Sequence, residues 1–345
     1  MNRHIISEHD TLIHALEMLN SLSGSVLTLF VVNSEGVMTG TLTDGDIRRG
    51  LIAGAMPSAA VSEVMHRSFR ALRGEKINVE QLRMYRTQGV RLLPWLDSTG
   101  RISEIIDTTV TPTKLPLTAI LMAGGKGERL RPMTLNTPKP LLKIGGKAII
   151  DYNVEALARC GINDISVTVN YLAEKMEEHF AEPVGGVNVH CVREDRPLGT
   201  IGSAALVDLP EYGDTLVMNS DLLTSISFED MYLSHVAEQA DITIAAIPYN
   251  VSVPYAILAT DGSNVTALEE KPSYAYYANA GIYIISNRLL RELPTDRRTD
   301  ATDLIEQTIA RRKKVTYFPI SGMWIDVGSP ADFRHASELM KHKNM

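Results

Sequence analysis

The chain has 345 residues, 44% hydrophobic and 22% charged, with 41 acidic against 34 basic residues and a net charge of −7. That balance argues against a dedicated nucleic-acid surface or a polybasic membrane patch, and no apolar run approaches the ~20 residues that a membrane helix needs. Two cysteines, Cys160 and Cys191, leave no disulfide framework and no four-ligand zinc site. No signal peptide is visible at the start, so the expectation is a cytoplasmic protein of two domains.

The first domain, residues 1–112, contains a repeat. Phe30-Val-Val-Asn-Ser-Glu-Gly36-Val-Met aligns with Pro94-Trp-Leu-Asp-Ser-Thr-Gly100-Arg-Ile at a constant offset of 64. Each copy opens with a helix-period stretch (Leu12, Ala15, Leu16, Leu19; then Val79, Leu82, Met84). A short strand, an Asn/Asp-Ser-x-Gly turn and a second strand follow. Two units, about 1–58 and 59–112, are too few for a solenoid and predict two α/β halves packed together.

Gly40-Thr-Leu-Thr43-Asp-Gly-Asp46-Ile-Arg48-Arg49 resembles the strand, Thr/Ser-x-x-Asp and helix of tandem CBS (cystathionine-β-synthase-type) repeats. The resemblance implies a homo-oligomer and an adenine nucleotide held by Thr43 and Asp46. The residues alone read equally as Thr43 capping the next helix, with Asp46 in its first turn. The second copy has Asp107 and Val110 at the corresponding positions, so one such site at most is implied.

Thr109-Val-Thr-Pro112-Thr-Lys-Leu-Pro116 is aperiodic and carries two prolines, which places a linker at 113–117. The second domain, 118–345, alternates strand and helix signals. Strands are predicted at Leu117–Ala123, Ile165–Val169, Val187–Val192, Thr215–Met218 and Ile242–Ile247, and a helix at Ile149–Ala158. The pattern predicts an α/β fold with a largely parallel sheet and helices on both faces.

Straight after the first of these strands comes Ala123-Gly124-Gly125-Lys126-Gly127-Glu128-Arg129-Leu-Arg131-Pro132-Met-Thr134, then Pro138-Lys139-Pro140. Three glycines in four positions let a backbone approach an anion and turn its amides toward it. Arg129 adds a planar fork for phosphate oxygens and Lys139 a point charge. No Gly-Lys-Ser/Thr ends the run, as a Walker A loop requires, and a dinucleotide fingerprint wants glycine where Leu130 stands. A tight turn alone explains the glycines but not the two cations.

This stretch closely resembles the signature of sugar-1-phosphate nucleotidylyltransferases, with Glu128 replacing the usual hydroxyl residue. The resemblance continues in order. Pro197-Leu198-Gly199-Thr200 is similar to the family's loop against the nucleotide base. Asn219-Ser-Asp221 and Trp324-Ile-Asp326-Val-Gly328 are similar to the segments carrying its two Mg²⁺ ligands, here Asp221 and Asp326. Glu269-Glu270-Lys271-Pro272 and Asn279-Ala-Gly281 are similar to the sugar-phosphate elements, which implies roles for Glu270, Lys271 and Asn279. Ala123, Gly124, Gly125 and Gly127, with Leu198, Gly199 and Thr200, would bind the nucleotide, and Arg129 and Lys139 would be catalytic. The fold implied is a Rossmann-like, GT-A-like mixed and mostly parallel nucleotidyltransferase sheet behind an α/β CBS pair.

The reaction implied is nucleotidyl transfer from an NTP to a hexose- or hexosamine-1-phosphate, with Mg²⁺ as cofactor and pyrophosphate released. The spelling Leu198-Gly199-Thr200 leans to GTP, with UTP, CTP and dTTP open. The domain order resembles guanylyltransferases of bacterial nonulosonic-acid (legionaminic-type) pathways. A non-enzyme alternative is a nucleotide-sensing regulator with an inactive transferase domain. His190, His235 and His335 read as surface or packing residues, and both cysteines as inert buried thiols. Asp332–Ala336 reads as a short closing helix, and no hexapeptide period is present, so no appended acyltransferase β-helix is expected.

Overall fold

The computed structural model describes residues 3–22 and 24–343, and it divides into two compact units. The first comprises Met1–Pro116 with Arg159–Gly161, and the second Leu117–Ala158 with Ile162–Met345.

In the first unit the elements run β1 (Ile5–Ser7), α1 (Leu12–Ser21), β2 (Thr28–Val32), β3 (Met38–Thr43) and α2 (Asp44–Ile52). Then come β4 (Leu72–Arg73), α3 (Val79–Thr87), β5 (Leu92–Leu96) and β6 (Ile102–Asp107). Each half is a three-stranded sheet, parallel between its first two strands and antiparallel between the last two. The offset of 64 holds at both ends of β2/β5 and of β3/β6, and both pairings carry their irregularity at the same step, Val31/Val32 and Trp95/Leu96.

The turn chemistry repeats as well. Asn33 Oδ1 accepts the N–H groups of Glu35 and Val37, and Asp97 Oδ1 those of Thr99 and Arg101, before Gly36 and Gly100 at φ 79° and 81°. The halves meet through equivalent residues, in an antiparallel bridge between Val37 and Arg101 and a shared cluster of Phe30, Met38, Ala71 and Leu96. The copies diverge at their ends: α2 follows β3, whereas a turn follows β6, with Asp107 Oδ1 accepting the Thr109 N–H. Thr113 and Leu115 are buried, and the next strand begins at Leu117.

The second unit begins with β7 (Leu117–Met122), β8 (Lys143–Ile144), β9 (Lys147–Ala148) and α4 (Ile149–Arg159). Next are β10 (Ile165–Val169), α5 (Ala173–His179), β11 (Val189–Arg193), β12 (Asp214–Asn219), β13 (Leu222–Thr224) and α6 (Phe228–Glu238). The remainder is β14 (Ile242–Ser252), β15 (Ile257–Asp261), β16 (Asn264–Glu269), β17 (Ser273–Ser286), α7 (Asn287–Arg291), α8 (Ala301–Ala310), β18 (Val315–Pro319), β19 (Trp324–Asp326) and α9 (Pro330–Lys343).

The main sheet has the order β11-β10-β7-β12-β17-β14-β18. β11, β10, β7 and β12 are mutually parallel, β17 is antiparallel to both its neighbours, and β14 and β18 are parallel. The fold is therefore mixed and mostly parallel. The run Ala119-Ile120-Leu121 and all of β10 are buried, as central strands covered on both faces must be. α4 buries Ile149, Ile150, Asn153, Val154 and Leu157, one stripe of a 3.6-residue period.

Some expected boundaries change. β14 runs five residues past Ile247, because strand pairing with β17 continues through Pro248. Gly202–Leu206 form a 3-10 turn. The closing helix is 14 residues long, Ala336 and Met340 continuing its apolar stripe. Among the described residues no helix is long and apolar enough to cross a membrane.

Candidate active site

A cavity of about 740 Å³ opens at the carboxyl ends of β7 and β12, where open α/β sheets bind ligands. Its wall is the glycine run, Ala123 through Arg129. Ala123 is pinned by its N–H to the Thr168 carbonyl (2.9 Å), and Gly127 turns the chain at φ 61°. A methyl at Gly127 would stand 3.0 Å from Thr134 Cγ2 and 3.1 Å from Lys139 Cβ, and buried Thr134 donates to the Gly127 carbonyl (2.8 Å). The loop is thus fixed against Thr134 and Lys139, and Gly125, with open space around it, lines the cavity.

Asp221 follows β12, and Asp326 ends β19. The β13–β19 pairing sets Leu222 opposite Asp326, and the Val327 N–H donates to the Asp221 carbonyl (3.2 Å). Lys139, 8% exposed, joins them: its Nζ contacts Asp221 Oδ2 and stands 3.6 Å from Asp326 Oδ1. Burial first, and then the charge of Asp221, push the Asp326 carboxyl above its usual range, against the pull of Lys139 and Arg129. The Arg129 guanidinium is held at Gly328, where a methyl would come within 3.2 Å of it.

Two carboxylate oxygens, Asp221 Oδ1 and Asp326 Oδ1, are buried without a hydrogen-bond partner. Orphaned acceptors carry a desolvation cost that a cation relieves. The hard oxygen donors of Asp221 and Asp326 fit Mg²⁺. No group of three or more His, Cys, Asp or Glu suited to a metal exists among the described residues. A cation here would complete its shell with water and substrate phosphate, as Mg²⁺ commonly does.

Beside Gly124 the cavity carries a residue that the sequence did not single out. Glu194 is 6% exposed, accepts the Leu198 N–H at Oε2 (3.1 Å), and lines the cavity; a methyl at Gly124 would come 2.5 Å from its Oε1. Burial holds its carboxyl above the usual range. The Leu198–Gly199–Thr200 loop is clamped on its other side: the Thr299 N–H donates to Leu198 O (2.8 Å), the Thr200 N–H to Asp300 Oδ1 (2.9 Å), and the Ala301 N–H to Thr200 Oγ1 (2.9 Å).

The remaining expected residues are placed differently. Asn279 sits on β17, its Nδ2 donating to Tyr283 and its Oδ1 accepting from the Gly281 N–H, and Gly281 packs against Asn219. Glu270 and Lys271 are exposed on the turn between β16 and β17, off the cavity lining. In the first unit Thr43 and Asp46 form a reciprocal capping box on α2, and Asp46 Oδ1 also accepts from Arg49. His235 is buried and bonded to Thr243 (2.8 Å), a packing residue, whereas His190 and His335 are exposed. The cysteines are half-buried, not buried as expected, because Cys191 is on the edge strand β11; burial still pushes its thiol up to about 11.

In one place a mostly parallel sheet brings together a glycine loop and two aspartates that share a lysine. Residues 118–343 match the Nucleotidyl transferase family, and the chain belongs to it. The mannose-1-phosphate guanyltransferase of Schizosaccharomyces pombe is 33% identical over 240 residues, 65% of this chain and 66% of that enzyme. That of Yarrowia lipolytica is 34% identical over 223 residues, 62% and 61% of the two chains. The chain therefore spans about two thirds or less of the curated relatives it matches. In fold it resembles HddC from Yersinia pseudotuberculosis, with a TM-score of 0.51 at 24% identity over 65% of this chain and 99% of that one.

Proposed function

We propose that the chain is a sugar-1-phosphate guanylyltransferase. The observation that carries this reading is the Lys139–Asp221–Asp326 cluster with its two orphaned oxygens, set at the edge of a glycine loop that lines the cavity. An oxygen of the sugar phosphate attacks the α-phosphorus of GTP in line. The bond to the α,β-bridging oxygen breaks and pyrophosphate leaves with the electron pair. The nucleophile is already an anion, so no protein base is needed, and catalysis is positioning plus charge stabilisation. The Gly124–Gly127 amides and Arg129 bind the outer phosphates, and Lys139 offsets charge at the reacting phosphoryl group. Asp221 and Asp326 would hold Mg²⁺, which when bound would supply charge neutralisation at the phosphates.

Guanine is supported by Glu194. Its carboxylate can accept from two adjacent donors, and among the common bases guanine alone presents them, N1–H beside N2–H₂. The names of the relatives support mannose-1-phosphate as the sugar, with hexosamine phosphates as the second choice. An adenine nucleotide at Thr43 and Asp46 would compete with the capping box for the same oxygens; AMP or ATP altering neither melting temperature nor rate removes that idea.

The test is pyrophosphate release with Mg²⁺, screening five NTPs against mannose-, glucose-, glucosamine- and N-acetylglucosamine-1-phosphate. Release with GTP and one sugar phosphate supports the reading. Release only with another NTP overturns the base assignment, and release with none, in the presence or absence of AMP, favours an inactive regulator.

A further inference from the structure

We propose that Tyr171 is a positioning residue of the nucleotide site: from the corner between β10 and α5 it fixes, through Thr134, the glycine loop that cradles the phosphates. This rests on the phosphate reading of that loop given above. Residues 131–138 link the loop and Arg129 to Lys139, and they form neither strand nor helix. Met133 and Leu135 are 36% and 49% exposed, so apolar burial holds little of this segment.

Hydrogen bonds hold it instead. The Tyr171 hydroxyl lies 3.1 Å from the Thr134 carbonyl oxygen and 3.0 Å from that of Leu135, one O–H shared between two acceptors. Lys175, on α5, donates from Nζ to the Asn136 carbonyl. Buried Thr134 passes the constraint to the loop. Its hydroxyl donates to the Gly127 carbonyl (2.8 Å), and its Cγ2 stands 3.0 Å from where a methyl on Gly127 would be. Lys139 Cβ closes the same space at 3.1 Å. Moving residues 134–135 therefore moves the turn at Gly127 and the spacing of Arg129 and Lys139 together.

The same corner reaches Glu194. Asn170 Nδ2 donates to the Glu194 carbonyl (2.9 Å), and Asn170 Cβ lies 3.4 Å from where a methyl on Gly124 would stand. Adjacent side chains thus brace both ends of the glycine loop, Gly124 from Asn170 and Gly127 by way of Tyr171. The backbone there is strained. Leu172 sits at φ 53°, in the left-handed region that a leucine keeps only where its surroundings over-determine it, as they do at ligand clamps. It opens α5 with no side-chain cap, so no capping bond offsets that conformation.

Tyr171 does not line the cavity, so it acts only through the loop. It is half-buried, and water can take the place of its hydroxyl on the two carbonyls. Losing that hydroxyl therefore costs little stability but releases the segment to settle elsewhere. A shift of about 1 Å in a substrate-positioning group is enough to cost ~10²-fold in rate.

Phenylalanine keeps the ring and removes only the hydroxyl. In the full chain, Tyr171→Phe should bind Mg²⁺-tripolyphosphate at least ~10-fold more weakly by calorimetry, with Tm lower by no more than about 4 °C. In pyrophosphate release, kcat/KM for the NTP should fall at least ~10-fold while KM for the sugar phosphate holds. Thr134→Val interrupts the same relay, so the double variant should lose little more than the worse single one. A variant that keeps the wild-type affinity overturns the proposal, and so does one that keeps the wild-type kcat/KM or a double variant whose losses add. A parallel rise in KM for both substrates, the mark of a merely structural tyrosine, overturns it too. A wild-type chain that neither binds tripolyphosphate nor releases pyrophosphate overturns the phosphate reading itself, and the proposal with it.

Discussion

Lys139 and Asp221 form a direct ion pair inside the fold, although 82 residues separate them in the chain and the lysine also stands 3.6 Å from Asp326. Removing one partner of a buried pair strands the other's charge. Lys139→Met should therefore cost about 3–5 kcal/mol in a thermal melt and lower kcat by at least ~10²-fold. Asp221→Asn should lower kcat as much but cost less in the melt, because Asp326, 3.6 Å from the Lys139 Nζ, still offsets the lysine's charge. The double variant should recover most of the lost stability and none of the activity, a non-additivity that a pair of unrelated sites would not show.

Gly199 stands at φ 91°, and a methyl there would meet the Thr299 carbonyl oxygen at 2.4 Å. Backbone strain and the clash with a main-chain atom act together, so Gly199→Ala should cost at least ~2 kcal/mol, or about 4–8 °C in Tm. KM for the nucleotide should rise, while a distant control such as Gly54→Ala, strained but in open space, leaves it unchanged.

Glu194→Gln exchanges a two-acceptor group for one acceptor and one donor, which matches uracil's O4 and N3–H better than guanine's paired donors. The expected outcome is a fall in kcat/KM for GTP of at least ~10²-fold with a relative gain for UTP or dTTP. The folded carboxyl sits above its unfolded pKa, so its contribution to stability is lost as pH rises through the folded value. The melting temperature of the glutamine variant should therefore gain on the wild type as the pH rises above the ordinary glutamate range. An unchanged NTP preference would remove Glu194 from base recognition.

Cys191 should resist iodoacetamide at pH 7–9, with alkylation accelerating only as the pH nears about 11. Peptide mapping of the labelled protein reads this directly. Burial is the larger cause and the Glu177 charge the second, so Glu177→Gln should bring the onset of labelling down.

What the sequence made legible was whatever a local pattern encodes. The offset of 64 extends even to the irregular step at Trp95/Leu96, because turn chemistry and strand period are both local. The glycine loop was readable because its glycines and cations lie within sixteen positions, Gly124 to Lys139. Glu194 was not, since Arg193-Glu-Asp-Arg196 reads as a solvated charge run and only the packing of Gly124 and Leu198 against it reveals the burial. The end of β14 was misplaced for a similar reason: Pro248 looks like a terminator, but its partner Tyr277 keeps the ladder going. The convergence of Asp221 with Asp326 depends on the long-range β13–β19 pairing, which no local period announces.

The direction of the main sheet reverses beside β12. On its parallel side stand the glycine loop and Glu194; on its antiparallel side stands β17 with Asn279. Asp221 sits at the border. Under the proposed reading, preference for the base and preference for the sugar occupy opposite flanks of one strand, with the shared chemistry between them. Substitutions on the two flanks should then combine additively in free energy. A lineage could exchange one substrate while keeping the other, and a designed enzyme could do the same by grafting one flank at a time.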